Sequence, residues 1–133
     1  MTRKNVPSGS YLEPIIGFSR AVRIGPHVAV AGTAPIGTDG KTAGVGDVEV
    51  QMRRCLEIGL AALKDAGADA SDVIRTRIML TDATLWEQAA KVHGEVFSDI
   101  RPACTVVEVK GFVDPDWLVE TEIDAIISED TPA

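Results

Sequence analysis

The stretch LVETEIDAII, residues 118–127, decides the fold. Val119, Thr121, Ile123, Ala125 and Ile127 fall at every second position, and Leu118, Glu120, Glu122, Asp124 and Ile126 fall between them. A period of two is the pattern of a β-strand, and here one face is apolar and the other carries charge. VIRTRIML (73–80) alternates similarly. Its expected faces are Ile74, Thr76, Ile78 and Leu80 against Val73, Arg75, Arg77 and Met79. FSRAVRIG (18–25) and HVAVAGTAPI (27–36) read as two more strands joined at Gly25-Pro26. TVVEV, the second half of RPACTVVEV (101–109), is β-branched and short, and reads as another.

Between these strands the period changes to that of a helix. In residues 48–66, Val48, Met52, Cys55, Leu56, Gly59, Leu60 and Leu63 form one stripe, with Asp47 as N-cap and Gly67 just past the end. A second helix is expected from a Thr84-x-x-Glu87 capping box to about Phe97, burying Leu85, Ala89, Val92 and Val96. Asp39-Gly40 marks a turn. The order β-β-α-β-α-β-β, with both helices on one face of a mixed sheet, predicts an α+β two-layer sandwich. The other sheet face mixes Arg75, Arg77, Glu120 and Glu122 with Val73, Met79, Leu118 and Ile126, which suits contact with another subunit better than bulk water.

Length and composition set the outer limits. The chain has 133 residues, which suits a single domain. The expected organisation is an N-terminal lead-in (1–16) broken by Pro7, Gly9 and Pro14, a domain (17–128), and a short tail (129–133). Acidic residues outnumber basic ones by 20 to 13, for a formal charge of -7. Phosphate neutralisation needs Lys and Arg, so neither nucleic acid nor an anionic membrane is an expected partner. No apolar run approaches the roughly 20 residues that span a bilayer. No secretory signal is recognised, so a cytoplasmic location is expected. No C-x-x-C or H-x-x-x-H spacing occurs. Neither a metal nor a cofactor is expected.

The stretches GFSRAVRIG, AGTAPIGTDGK, AGADASDVIRTRIMLTD, PACTVVEV and LVETEIDAII occur in an order that resembles the Rid family, also called YjgF or reactive intermediate deaminase A-like, over about residues 17–127. The resemblance implies a chorismate-mutase-like fold assembled as a homotrimer, with three clefts between subunits. It also implies hydrolysis of enamines and imines such as 2-aminoacrylate, with release of ammonia. Deaminase members hold the substrate carboxylate with an arginine directly after the Pro-Ala of the motif. That position is Cys104 here, so the chain resembles an arginine-lacking branch. A thiol cannot form the bidentate pair that a guanidinium makes with a carboxylate.

Other family positions carry over one by one. The glutamate associated with the catalytic water matches Glu120. A cleft tyrosine matches Phe18, which keeps the ring and loses the hydroxyl. The glycine whose backbone approaches the ligand matches Gly32, followed by Thr33, whose hydroxyl either meets the ligand or caps the strand. Each residue also has a plainer reading. Glu120 could pair with Arg75 or Arg77 across the sheet, although Glu122 fits that bridge better. Arg101 is a displaced carboxylate clamp or an ordinary salt-bridge residue, and Pro102 biases it towards extended backbone. Cys104 lines the cleft, fills a strand start, or is a nucleophile activated by a neighbouring cation. Trp117 closes one rim of the cleft or packs its own loop. Cys55 belongs to the core, and Trp86 and His93 to a helix surface or edge.

Three functional expectations follow. The first is a trimer that binds a small molecule in its clefts and hydrolyses an imine or enamine, with weak or absent activity on 2-aminoacrylate. The second is a non-catalytic small-molecule sensor or stress-related binding protein built on the same clefts. The third, a ribonuclease or translation inhibitor, is disfavoured by the charge of -7.

Overall fold

In the computed structural model, which describes residues 2–128, the alternating stretch becomes the strand on which the sheet is built. The strands are β1 (Arg3–Val6), β2 (Ala21–Ile24), β3 (His27–Thr33), β4 (Val73–Leu80), β5 (Ala103–Glu108) and β6 (Val119–Ile126). The helices are α1 (Glu13–Ile16), α2 (Val48–Asp65) and α3 (Trp86–Phe97). Their order across the sheet is β1-β2-β3-β6-β4-β5. β6 is antiparallel to both β3 and β4, and β4–β5 is the parallel pair. The mixed α+β sheet is therefore the expected one. The tail 129–133 lies outside the described residues.

The alternation of β6 sends Val119, Thr121, Ile123 and Ala125 into the core. α2 packs on β6 and β3, and α3 packs on α2. The helix lies close on the sheet at Gly59, where a Cβ would come 2.9 Å from Ile123 Cδ1 and push that methyl aside. Asp47 caps α2 by accepting from the Glu49 and Val50 amides, and Gly67 leaves it at φ 93.

Four features depart from the sequence reading. The lead-in is partly regular, because Arg3–Val6 pairs with β2 as an edge strand. Only Val6 of the four is buried, so no alternation announced it. In β4 the ladder slips between Val73 and Arg75. This bulge turns Val73 inward and leaves Ile74 exposed, reversing the expected parity at the strand's start. The Thr84 capping box gives way to Asp82, whose carboxylate accepts from the Thr84 amide and hydroxyl. A short 3-10 turn at 83–85 follows, and α3 begins at Trp86. Arg101 is not extended but sits at φ 56, its amide bonded to Phe97 O at 2.8 Å. Closing α3 with that bond outweighs the preference set by Pro102.

Gln51, absent from the expected stripe, is fully buried on α2. Its Nε2 donates to Gly44 O and Asp116 O, and its Oε1 accepts from the Leu118 amide. One side chain thus ties the loop before α2 to the loop before β6. Gln51→Leu strands these backbone groups, each at about 1–3 kcal/mol. The expected loss is about 3 kcal/mol in urea unfolding; a loss below about 1 kcal/mol would mean that water takes over the role.

Candidate functional site

β3 and β6 run in opposite directions, so the end of one lies beside the beginning of the other. Val30 pairs with Ile123 and Thr33 with Thr121, which leaves Ala31 and Gly32 opposite Glu122 alone. This two-against-one bulge lifts the β3 backbone out of regular pairing. A Cβ on Gly32 would stand 3.0 Å from Glu120 Oε1, so the missing side chain makes room for the carboxylate.

A pocket of about 250 Å³ opens here. Phe18, Arg20, Gly32, Trp117 and Glu120 line it, with Leu12, Ile16, Ala31, Ala34, Ile36, Val113 and Ser10 completing the wall. The volume lies below the roughly 300–1,000 Å³ of drug-sized sites, so the space suits a small molecule. The wall is largely apolar. Trp117 is 5% exposed, and its Nε1 donates to Thr42 Oγ1 at 3.1 Å. That bond fixes the indole as part of the pocket wall.

Glu120 is half-buried, and burial raises its pKa above the ordinary carboxylate value. Arg20 acts against that shift and Glu122 adds to it. The bridge weighed for Glu120 falls to its neighbours instead. Arg77 Nη1 lies 4.0 Å from Glu122 and 3.7 Å from Asp124.

Arg20 is the residue that the sequence reading missed. Its Nη1 donates to Gly32 O at 3.0 Å and to Thr33 Oγ1 at 3.1 Å, and its guanidinium carbon stands 5.5 Å from the Phe18 ring centre. Burial lowers its pKa, while Glu120 supports its charge. The signal was available in the spacing: Phe18 and Arg20 are two apart in a stretch whose sequence reads as a strand, where such positions share a side. Thr33 is 1% exposed, and its hydroxyl donates to Ala31 O at 2.7 Å while accepting from Arg20. It positions Arg20 rather than facing the pocket.

Phe18, Gly32, Trp117 and Glu120 therefore meet within this one chain. Arg101 and Cys104 do not join them. Cys104 pairs with Thr76 on the far side of β4, whereas Glu120 pairs with Met79. Strand spacing and rise put the two Cα atoms about 14 Å apart. Both Arg101 and Cys104 are exposed, as is all of β5. His93, expected at a helix surface or edge, is half-buried with Nε2 2.8 Å from Thr76 Oγ1, and burial lowers its pKa. Cys55 is fully buried, and burial pushes its thiol up. Among the described residues no group of three or more His, Cys, Asp or Glu could hold a metal ion, and no helix is long and apolar enough to cross a membrane.

The family model described as Endoribonuclease L-PSP matches residues 9–127. A YjgF/YER057c/UK114 family member from Mycobacterium tuberculosis is 44% identical with a TM-score of 0.86, over 95% of this chain and 100% of that one. An Acinetobacter baylyi protein named 3-aminoacrylate deaminase RutC is 33% identical over 80% of this chain and 84% of its own. The structure of E. coli TdcF with bound serine is 25% identical, has a TM-score of 0.77, and covers 93% of this chain and 94% of its own.

The raised pKa of Glu120 has a consequence for stability. The folded state holds this proton more tightly than the unfolded chain does. The stability that proton binding confers is present at low pH and is lost as pH rises through the folded pKa. Glu120→Gln never ionises and escapes the loss. The variant's melting temperature should exceed that of the parent chain by a margin that grows from about pH 4 to about pH 8. A margin constant over that range would show that Glu120 ionises equally easily in both states.

Proposed function

We propose that this chain, which belongs to the Endoribonuclease L-PSP family, hydrolyses a small imine or enamine in the Glu120 pocket and releases ammonia. The observation that carries this reading is a half-buried carboxyl with a raised pKa on the wall of a small, mostly apolar pocket. Such a carboxyl can take a proton from water and pass it on. The oxygen of the water bonds to the carbon of C=N while Glu120 accepts a water proton. The nitrogen gains two protons, one returned by Glu120 and one from the hydroxyl just added, and the C–N bond breaks as that oxygen becomes the carbonyl. The products are a carbonyl compound and ammonia. An enamine reaches the same course after protonation at carbon. The relative named 3-aminoacrylate deaminase supports this reaction class.

A homotrimer forms part of the same proposal. The exposed strand β5, with Val106 and Val107 each 42% exposed, and the charged open face of the sheet are the surfaces for a second copy. That copy would supply Arg101 and Cys104 to an inter-subunit cleft. Ribonuclease activity is not proposed despite the family's description, because a net charge of -7 and an apolar pocket are poorly suited to a phosphate backbone.

The test is ammonia release from freshly generated imines. Glu120→Gln should lower the rate by about a hundredfold or more, the usual share of a general acid–base group. Equal rates would remove Glu120 from the chemistry. Ligand binding without turnover of any imine tried would leave a binding protein. On 2-aminoacrylate the parent chain should be slow, and Cys104→Arg should speed it. A fast parent chain would show that the missing clamp at 104 is immaterial.

A further inference from the structure

Residues 9–17 form part of the pocket wall as a strap that is bonded to itself and not to the body of the fold. Glu13 Oε1 accepts from the Ser8 amide at 2.7 Å and from the Ser8 hydroxyl at 2.9 Å. The Ser10 amide donates to Ser8 Oγ, the Leu12 amide to Ser10 Oγ, and the Glu13 amide to Ser10 O. The single turn of α1 closes with the Gly17 amide on Glu13 O at 2.8 Å. Among the described residues, no hydrogen bond or ion pair joins 9–17 to a residue outside 8–17. Arg20 attracts the Glu13 carboxylate without forming an ion pair. No residue of the strap is buried. Ser10, Leu12 and Ile16 nevertheless line the Glu120 pocket. A segment with few buried contacts and no bonds to the core opens at little cost.

The ends of the strap are glycines in the left-handed region, Gly9 at φ 72 and Gly17 at φ 80. A Cβ on either would meet nothing within 4 Å, so backbone conformation and not space calls for glycine there. Glycine crosses between positive and negative φ freely, and hinges absorb a motion at a few such positions. We propose that residues 9–17 are a lid that swings as one piece about Gly9 and Gly17. It carries Leu12 and Ile16 off the pocket wall to admit a small molecule, and back to enclose it. The proposal rests on the Glu120 pocket being the ligand site and adds the route by which that site is entered. The internal bonds of 8–17 keep the lid's shape while it moves. Closed, its two aliphatic side chains keep water from the space that Glu120 lines.

Tyr11 is the chain's one tyrosine and stands 66% exposed on the strap, so fluorotyrosine labels the lid alone. Its fluorine signal should show microsecond-to-millisecond exchange by relaxation dispersion, the timescale of lid motion. Trp117, in a Trp86→Phe background, reports entry to the pocket through fluorescence quenching by acrylamide, a small neutral probe. Glu13→Ala removes the carboxylate that holds Ser8 and should raise the quenching constant several-fold. Gly17→Ala strains the closed position through φ alone, should weight the open one by about tenfold, and should raise quenching likewise. Gly17→Asn, which tolerates this φ better, should fall between Gly17→Ala and the parent chain. The urea midpoint should be the same throughout, because the strap is not bonded to the body. A flat dispersion profile, or quenching that neither Glu13→Ala nor Gly17→Ala changes, would make the segment a fixed wall and overturn the lid. Raised quenching with a lowered urea midpoint would trace the effect to loosening of the whole fold and overturn it too. Those results leave the chemistry proposed for Glu120 standing, and a failure to turn over any imine leaves the lid standing.

Discussion

A strand paired on both sides has no freedom to choose its faces. β6 is locked between β3 and β4, and every second residue must enter the core. With Val119, Thr121, Ile123 and Ala125 committed inward, Glu120, Glu122 and Asp124 are forced outward. A one-residue slip would bury three carboxylates, which no available partner offsets. The position of Glu120 is therefore set by the hydrophobic core, and the candidate chemistry depends on the same register that holds the domain together.

What makes Glu120 more than a surface acid is its neighbour. β3 would ordinarily continue its own ladder past this point, but the bulge at Ala31 and Gly32 breaks the pairing. The break has two effects: space opens where a side chain would touch Oε1, and a backbone carbonyl is released that Arg20 can bind. Acid and cation then occupy one wall without closing into an ion pair, and each remains available to a third party. Buried pairs that do close are electrostatically satisfied and chemically quiet. The separation held here by the bulge and by Thr33 prevents that outcome.

Sequence patterning revealed the framework where its periods ran undisturbed. The alternation in β6 and the stripe in α2 were both legible because each signal extends over many residues and rests on a single rule. Misreadings cluster at irregularities, which a period cannot register. The extra residue at Ile74 inverts the start of β4, and β1 is too short and too polar to show alternation. Gln51 fell outside the expected stripe because its burial depends on carbonyls from loops distant in sequence. Of the site, Phe18, Gly32 and Glu120 were found by resemblance to family positions, and Trp117 by its place at the start of the last strand. Arg20 stood in plain view two residues from Phe18, but no family expectation pointed to it. The distance between Cys104 and the pocket depends on strand order, which no local pattern encodes.

The buried thiol of Cys55 lies against Val119 O at 3.7 Å, in the seam between α2 and the strand that carries Glu120. Alkylating reagents attack the thiolate, and burial keeps that form rare at this position. Cys104, exposed on β5, meets the same reagent directly in the single subunit. Labelling should therefore separate into a prompt phase and a slow one. The slow phase counts the moments when the helical layer lifts away from the sheet. With one cysteine on each side of this barrier, the chain carries its own clock for the breathing of the layer beneath its pocket.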